Sequence, residues 1–98
     1  MPRHACRKDA NHDEVASEFE RLGCVTLDCS RYEGFVDLMV WRHQPRLVEV
    51  KTKTGKLRKS QRDLAKIWPG PIHVVRSRIE AMALVQHWDK EAEKDLPW

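Results

Sequence analysis

Apolar residues along the chain change period several times, and each change marks an element. After Asn11, Val15, Phe19 and Leu22 follow at helical spacing and Gly23 closes the run, which predicts a first helix over 12–22. Asn11 has the side chain of an N-cap, and Glu14 three residues later completes a capping-box pair. CVTLDC (24–29) reads as a strand, SRYEG (30–34) as a turn and FVDLMVW (35–41) as a second strand. RHQP is then a loop and RLVEVK (46–51) a third strand. Beyond the glycine-containing stretch TKTGKLRK, Ser60 is placed to cap a short helix that runs to Trp68, with Leu64 and Ile67 on one side. WPGP (68–71) breaks it, and IHVVR (72–76) is a fourth, almost wholly apolar strand. Ser77 caps a last helix, SRIEAMALVQHW, whose expected buried stripe is Ile79, Met82, Ala83 and either Leu84 or Val85.

The order helix, strand, strand, strand, helix, strand, helix predicts an α/β layer architecture with a mixed central sheet. Ninety-eight residues make one domain with a modest core. We expect a basic arm over 1–10, a single domain over 11–88 and a polar tail over 89–98. There are no repeats. No apolar run approaches the ~20 residues that span a membrane, and no secretion signal is evident, so the expected location is cytoplasmic.

Strand alternation makes one stretch stand out. Val36, Leu38 and Val40 share one face, while Phe35, Asp37, Met39 and Trp41 share the other. On the third strand Val48 and Val50 oppose Leu47, Glu49 and Lys51. If the valines line one core layer, the hairpin brings Asp37 close to Glu49 or Lys51, at the rim of a partly covered face. Two neighbouring carboxylates resist ionising together, and a divalent cation removes that penalty. Hard oxygen ligands suit Mg²⁺ or Mn²⁺. A lysine pointing the same way can hold an attacking water or offset charge on a phosphate. The plain alternative is a solvated cross-strand salt bridge.

Charge and cysteine usage refine this picture. Net charge is only +3, yet KTKTGKLRKSQR (51–62) is rich in Lys and Arg and has no acid. A polyanionic partner fits that stretch, as does a solvated basic loop. Lys53, Lys56, Arg58, Lys59 and Arg62 are candidates for phosphate-backbone contacts. Arg31 and Tyr32, in the turn before Asp37, are candidates for a phosphate and a base, or a simple surface turn. Three cysteines cannot all pair, and a reduced structural role is expected. His4, Cys6 and His12 match no standard zinc spacing. Trp68, Trp88 and His73 read as packing residues.

Asp37 followed by Glu49-Val50-Lys51 resembles the D…(D/E)-x-K signature of the PD-(D/E)XK nuclease superfamily. The chain is similar, more narrowly, to small stand-alone VRR-NUC nucleases of phages and bacteria and to Holliday junction resolvases. DANHDEV, EGFVDLMV, LVEVK and KSQ carry the likeness, which extends over about 9–85. It implies a restriction-endonuclease-like core. It implies Asp37, Glu49 and the Val50 carbonyl as metal ligands, Lys51 as the catalytic lysine, and Gln61 as a residue that helps hold the site. An acid from the first helix completes such sites. Glu14 is the candidate here, with Glu18 on the same face, and the capping box competes for Glu14. Asn11 lies near where some relatives carry that acid, as an amide ligand or through water. Val36 stands where the signature's name has proline.

The expected function is therefore a Mg²⁺- or Mn²⁺-dependent endonuclease on branched, flap or junction DNA, selective for structure rather than sequence. Cutting two strands requires a homodimer. The alternatives are a non-catalytic nucleic-acid-binding module of the same fold and a protein-binding adaptor.

Overall fold

The structure, a computed structural model, describes residues 10–95. Expectations for His4, Cys6 and most of the basic arm lie outside the described residues. Seven elements follow in the expected order: α1 His12–Arg21, β1 Val25–Asp28, β2 Leu38–Arg42, β3 Gln44–Val50, α2 Lys59–Ile67, β4 Ile72–Val75 and α3 Arg78–Lys94. They build one four-stranded sheet in the order β1-β2-β3-β4. The first three strands run antiparallel, and β4 joins β3 in parallel after the α2 crossover. The protein is a small α/β fold with a mixed sheet and three helices. Among the described residues no helix is long and apolar enough to cross a membrane.

Hydrophobic alternation sets the layering. Leu38, Val40, Val48, Val50 and Val75 point to one face, where Val15 and Phe19 of α1 and Ala81, Val85 and Trp88 of α3 cover them. Trp88 anchors this layer. It stacks on Phe19 with ring centroids 6.0 Å apart, meets His73 edge-on and carries the Arg46 guanidinium 4.8 Å above its ring. Cys24 and Cys29 are free and buried. Gly23 ends α1 at φ 93°, the left-handed conformation a glycine adopts without penalty.

Several boundaries correct the sequence reading. β2 begins at Leu38, so Asp37 precedes the strand, though its carbonyl still accepts the N–H of Cys29 at 2.8 Å. The β2–β3 connection is a single residue, His43 at φ 66°, rather than a four-residue loop. Arg42 explains the tight return: it reaches α3 through two 2.9 Å bonds to Asp89 and also donates to the Leu22 carbonyl. The α3 stripe is Ala81, Val85 and Trp88, whereas Ile79 is 72% exposed and Ala83 is exposed. The bulk of Trp88 decides the rotation of the helix, because it has most area to bury. EAEK, expected as tail, continues α3, as its helix-favouring composition allows.

Both expected caps differ in α1 and α2. Asn11 makes no side-chain cap bond. Its amide is spent on two carbonyls elsewhere, and Glu14 pairs instead with Arg78. Arg58, not Ser60, occupies the N-cap of α2, which starts two residues earlier than expected. Ser77 does cap α3, accepting the Glu80 N–H at 3.1 Å.

Candidate active site

The hairpin register pairs Leu38 with Val48. One step further out, Asp37 therefore stands opposite Glu49, both on the face away from α1 and α3. The Asp37 N–H donates to Glu49 Oε1 at 2.8 Å, and the Val50 N–H donates to Asp37 Oδ2 at 2.9 Å. Lys51 follows on the same side, with Nζ 3.7 Å from Glu49 Oε2. The structure thus brings together the three residues that the strand pattern singled out.

Their setting differs from expectation in one respect. The carboxylates do not sit at a solvated rim: Asp37 is 5% exposed, Glu49 0% and Lys51 4%. A solvated cross-strand salt bridge does not describe such a cluster. Burial pushes the Glu49 carboxyl up to about 8, the neighbouring Asp37 charge pushes the same way, and Lys51 opposes both. Glu49 Oε2 is buried without a hydrogen-bond partner. Buried carboxylate oxygens in that condition are uncommon.

Asn11 and Arg76 build the support for Lys51. Asn11 Nδ2 donates to the Lys51 carbonyl at 3.0 Å and to the Arg76 carbonyl at 2.8 Å. Two carbonyls can only accept, so the amide is fixed with its nitrogen toward them. The Lys51 N–H in turn donates to the Val75 carbonyl at 3.0 Å. The Arg76 guanidinium grips the basic loop behind Lys51, donating to Thr52 O at 2.7 Å and Gly55 O at 2.6 Å. Arg76 carries no sequence signal, since an arginine after a strand is ordinary. The Asn11 role was hidden by its fitness as a cap.

The other expected site residues divide. Gln61 is 2% exposed in the first turn of α2, and its Oε1 accepts the Arg58 N–H at 2.9 Å. Glu14 is not drawn into the site: it is half exposed and lies 3.3 Å from Arg78 Nε. Glu18 is buried beside Arg21, whose Nε donates to it at 3.1 Å. Arg31, Lys53, Lys56, Arg58, Lys59 and Arg62 are all exposed. Lys59 pairs with Asp63 at 2.8 Å, and Arg62 donates to the Leu57 carbonyl at 2.7 Å. Trp68 is 38% exposed rather than packed into the core.

A cavity of about 140 Å³ opens beside Asp37. Ser30, Tyr32, Glu33 and Phe35 line it together with Arg58 and Ser60 from the start of α2. Asp37 is the member of the cluster that lines this cavity.

Fold and site together define a small α/β protein with a buried dicarboxylate–lysine cluster beside a small polar cavity. Comparison with protein-family models, characterised proteins and solved structures finds no match.

Proposed function

We propose that the protein is a metal-dependent nuclease that hydrolyses phosphodiester bonds in DNA, with a restriction-endonuclease-like core of the PD-(D/E)XK type. One observation carries the reading: Asp37 and Glu49 are buried together, and Glu49 Oε2 has no hydrogen-bond partner, with the Lys51 ammonium 3.7 Å away. Each carboxylate accepts one backbone N–H, but burying two acids together for that alone is costly.

The donor set fits a hard divalent cation. It is all oxygen, and one oxygen is buried without a hydrogen-bond partner. Asp37, Glu49 and the Val50 carbonyl would hold Mg²⁺ or Mn²⁺. When bound, the ion polarises a phosphate and lowers the pKa of a coordinated water. Lys51 brings an ammonium to the same place, suited to orienting water or balancing charge on a phosphate. Asn11 fixes the backbone from which Lys51 projects. Lys53, Lys56, Arg58, Lys59 and Arg62 offer cations to the backbone of the nucleic acid. Branched or junction DNA is the proposed substrate, and cutting both strands would take a homodimer.

A second reading is a non-catalytic nucleic-acid-binding module. Among the described residues no third His, Cys, Asp or Glu joins the two carboxylates in a metal-holding group, which favours it. Mg²⁺, however, is commonly held by one or two carboxylates with waters completing the shell.

A cleavage assay separates the two. Fluorescent single-stranded, duplex, flap and four-way-junction DNA is incubated with Mg²⁺ or Mn²⁺, against EDTA. Cleavage lost in Lys51→Ala and Asp37→Asn supports the nuclease. Binding without cleavage, unchanged by EDTA and by both substitutions, supports the binding module.

A further inference from the structure

We propose that the exposed edge of β1 is a dimer interface, where Val25–Asp28 pairs antiparallel with the same strand of a second copy. The interface stands on the geometry of the strand itself. Its use, a paired cut in two strands, rests on the nuclease reading.

The strand order leaves β1 at one edge of the sheet. Native edges are usually guarded by a charge, a proline or a bulge. Val25, Thr26 and Leu27 supply no charge and no proline, and β1 runs beside β2 in an unbroken register. Val25 is 67% exposed and Leu27 59%. Both lie on the face away from α1 and α3, because they register with Trp41 and Met39. Trp41 is itself 54% exposed. These side chains make an apolar strip on the order of a few hundred Å² beside a strand edge.

The ladder fixes which backbone groups face outward. The Cys29 N–H donates to the Asp37 carbonyl, and hydrogen-bonded pairs alternate along antiparallel strands. Leu27 and Val25 therefore bond inward to β2, while the N–H and C=O of Thr26 turn to the open edge. Antiparallel strands related by a two-fold axis place same-face residues opposite each other, so β1 can meet itself only in a register centred on a residue. Centred on Thr26, the two threonines exchange both backbone bonds, and Val25 of each copy stands opposite Leu27 of the other. Each row on that face then runs Trp41, Val25, Leu27, Met39 across the axis, with no polar side chain between. Centring on Leu27 instead would set Asp28 against Thr26 and leave Val25 opposite Cys29, beyond the strand. This self-match of hydrogen bonds and apolar rows is the argument for a second copy over a different protein.

Strip and edge together would cover roughly 1,000 Å² over both copies, the low end for a specific complex, so association is weak. On the α1 side the Thr26 hydroxyl donates to Glu20 at 2.6 Å, which brings like charges near the axis. Added salt should therefore strengthen the dimer. In the joint sheet both Asp37–Glu49 clusters face the same side, about 25–30 Å apart at ordinary strand spacing and rise. Two sites on one side of one sheet are what a paired cut requires.

The test is the oligomeric state of the full chain, without metal or DNA. Sedimentation from low-micromolar to near-millimolar protein should show a monomer–dimer equilibrium. Amide hydrogen exchange reads the register: the Thr26 N–H should gain protection as concentration rises, while that of Leu27 is protected throughout. Leu27→Lys should weaken dimerisation about tenfold or more. Thr26→Pro should abolish it and leave the monomer folded, since an edge strand tolerates proline where the N–H faces outward. Ile79→Lys, the same kind of change at a 72% exposed residue of α3, should dimerise as wild type does. A chain that stays monomeric at every concentration overturns the second copy and leaves the edge to a strand of another protein. A dimer that survives both β1 substitutions, or whose Thr26 amide stays unprotected, also overturns it, because the copies then meet elsewhere. The nuclease reading fails separately: a β1-paired dimer that cuts no DNA removes that reading alone, and a monomer that cleaves DNA removes the interface alone.

Discussion

Asp37 and Glu49 hold the open end of the β2–β3 hairpin by exchanging side-chain-to-backbone bonds, Asp37 N–H to Glu49 Oε1 at 2.8 Å and Val50 N–H to Asp37 Oδ2 at 2.9 Å. The carboxylates thus extend a ladder whose last regular pair is Leu38 with Val48. The arrangement fixes their positions to the sheet, and it confines two acids to one buried place. Rigid placement of this kind is what a site on strands offers over one on loops.

The first consequence is a pH dependence of stability. The folded protein raises the Glu49 carboxyl from its ordinary value of 4.5 to about 8, chiefly through burial. The folded state therefore takes up this proton more readily than the unfolded chain. Stability from Glu49 is fully present below about 4.5, declines as pH rises through about 8, and is flat above that. Urea midpoints at pH 5, 6.5 and 8 should fall for the wild type. Glu49→Gln, which keeps an acceptor and removes the titration, should show a much shallower fall. An equal fall in both proteins would assign the slope to other groups.

Asn11 gives a sharper test, because Asn and Asp are interchangeable at an ordinary N-cap. Here the nitrogen donates to the carbonyls of Lys51 and Arg76. A carboxylate in its place would face two acceptors. Asn11→Asp should cost about 1–3 kcal/mol, and Asn11→Ala a similar amount, each leaving acceptors unmet. Chemical denaturation at pH 7 measures both. Wild-type stability in Asn11→Asp would return Asn11 to the capping role.

The order of elements and the site triad were legible in the sequence, and for one reason. Strand alternation has a period of two, so Asp37, Glu49 and Lys51 had to share a face once the valines were assigned to the core. Their depth was not legible, since alternation assigns a residue to a face but does not say what covers that face. Nor were the ends of helices. Asn11 and Ser60 both have cap chemistry, yet tertiary partners claimed Asn11, and the start of α2 two residues early left Ser60 lining the cavity. The phase of α3 was misread because Ile79 and Trp88 compete for the core, and the larger side chain won.

That phase can be checked by substitution. Trp88 is 1% exposed between Phe19, His73 and Arg46, whereas Ile79 is 72% exposed. Trp88→Ala should cost about 3–5 kcal/mol, a large share of the stability of a domain this size. Ile79→Ala should change stability by less than about 0.5 kcal/mol. A reversed order, read from thermal melts, would mean that α3 is rotated on the sheet.

The last prediction joins the metal to the proton on Glu49. A divalent cation held by Asp37 and Glu49 needs both carboxylates ionised, so it competes with the proton that burial retains on Glu49 up to about pH 8. Apparent affinity for Mg²⁺ or Mn²⁺ should therefore climb with pH through that range and level off above it. A ligand at one hundred times its Kd stabilises a folded protein by about 2.7 kcal/mol, which for a chain of this length is roughly 10–20 °C in Tm. The metal-induced gain should be small at pH 5.5, approach that size at pH 8.5 and vanish on adding EDTA. Asp37→Asn should abolish it at every pH, because one neutral amide and one reluctant carboxyl make a poor cation site. Lys51→Met should enlarge the gain at saturating pH, since the ammonium 3.7 Å from Glu49 Oε2 opposes a second positive charge beside that oxygen. A metal-induced rise that survives Asp37→Asn unchanged, or that has no pH dependence, would place the cation elsewhere on the protein.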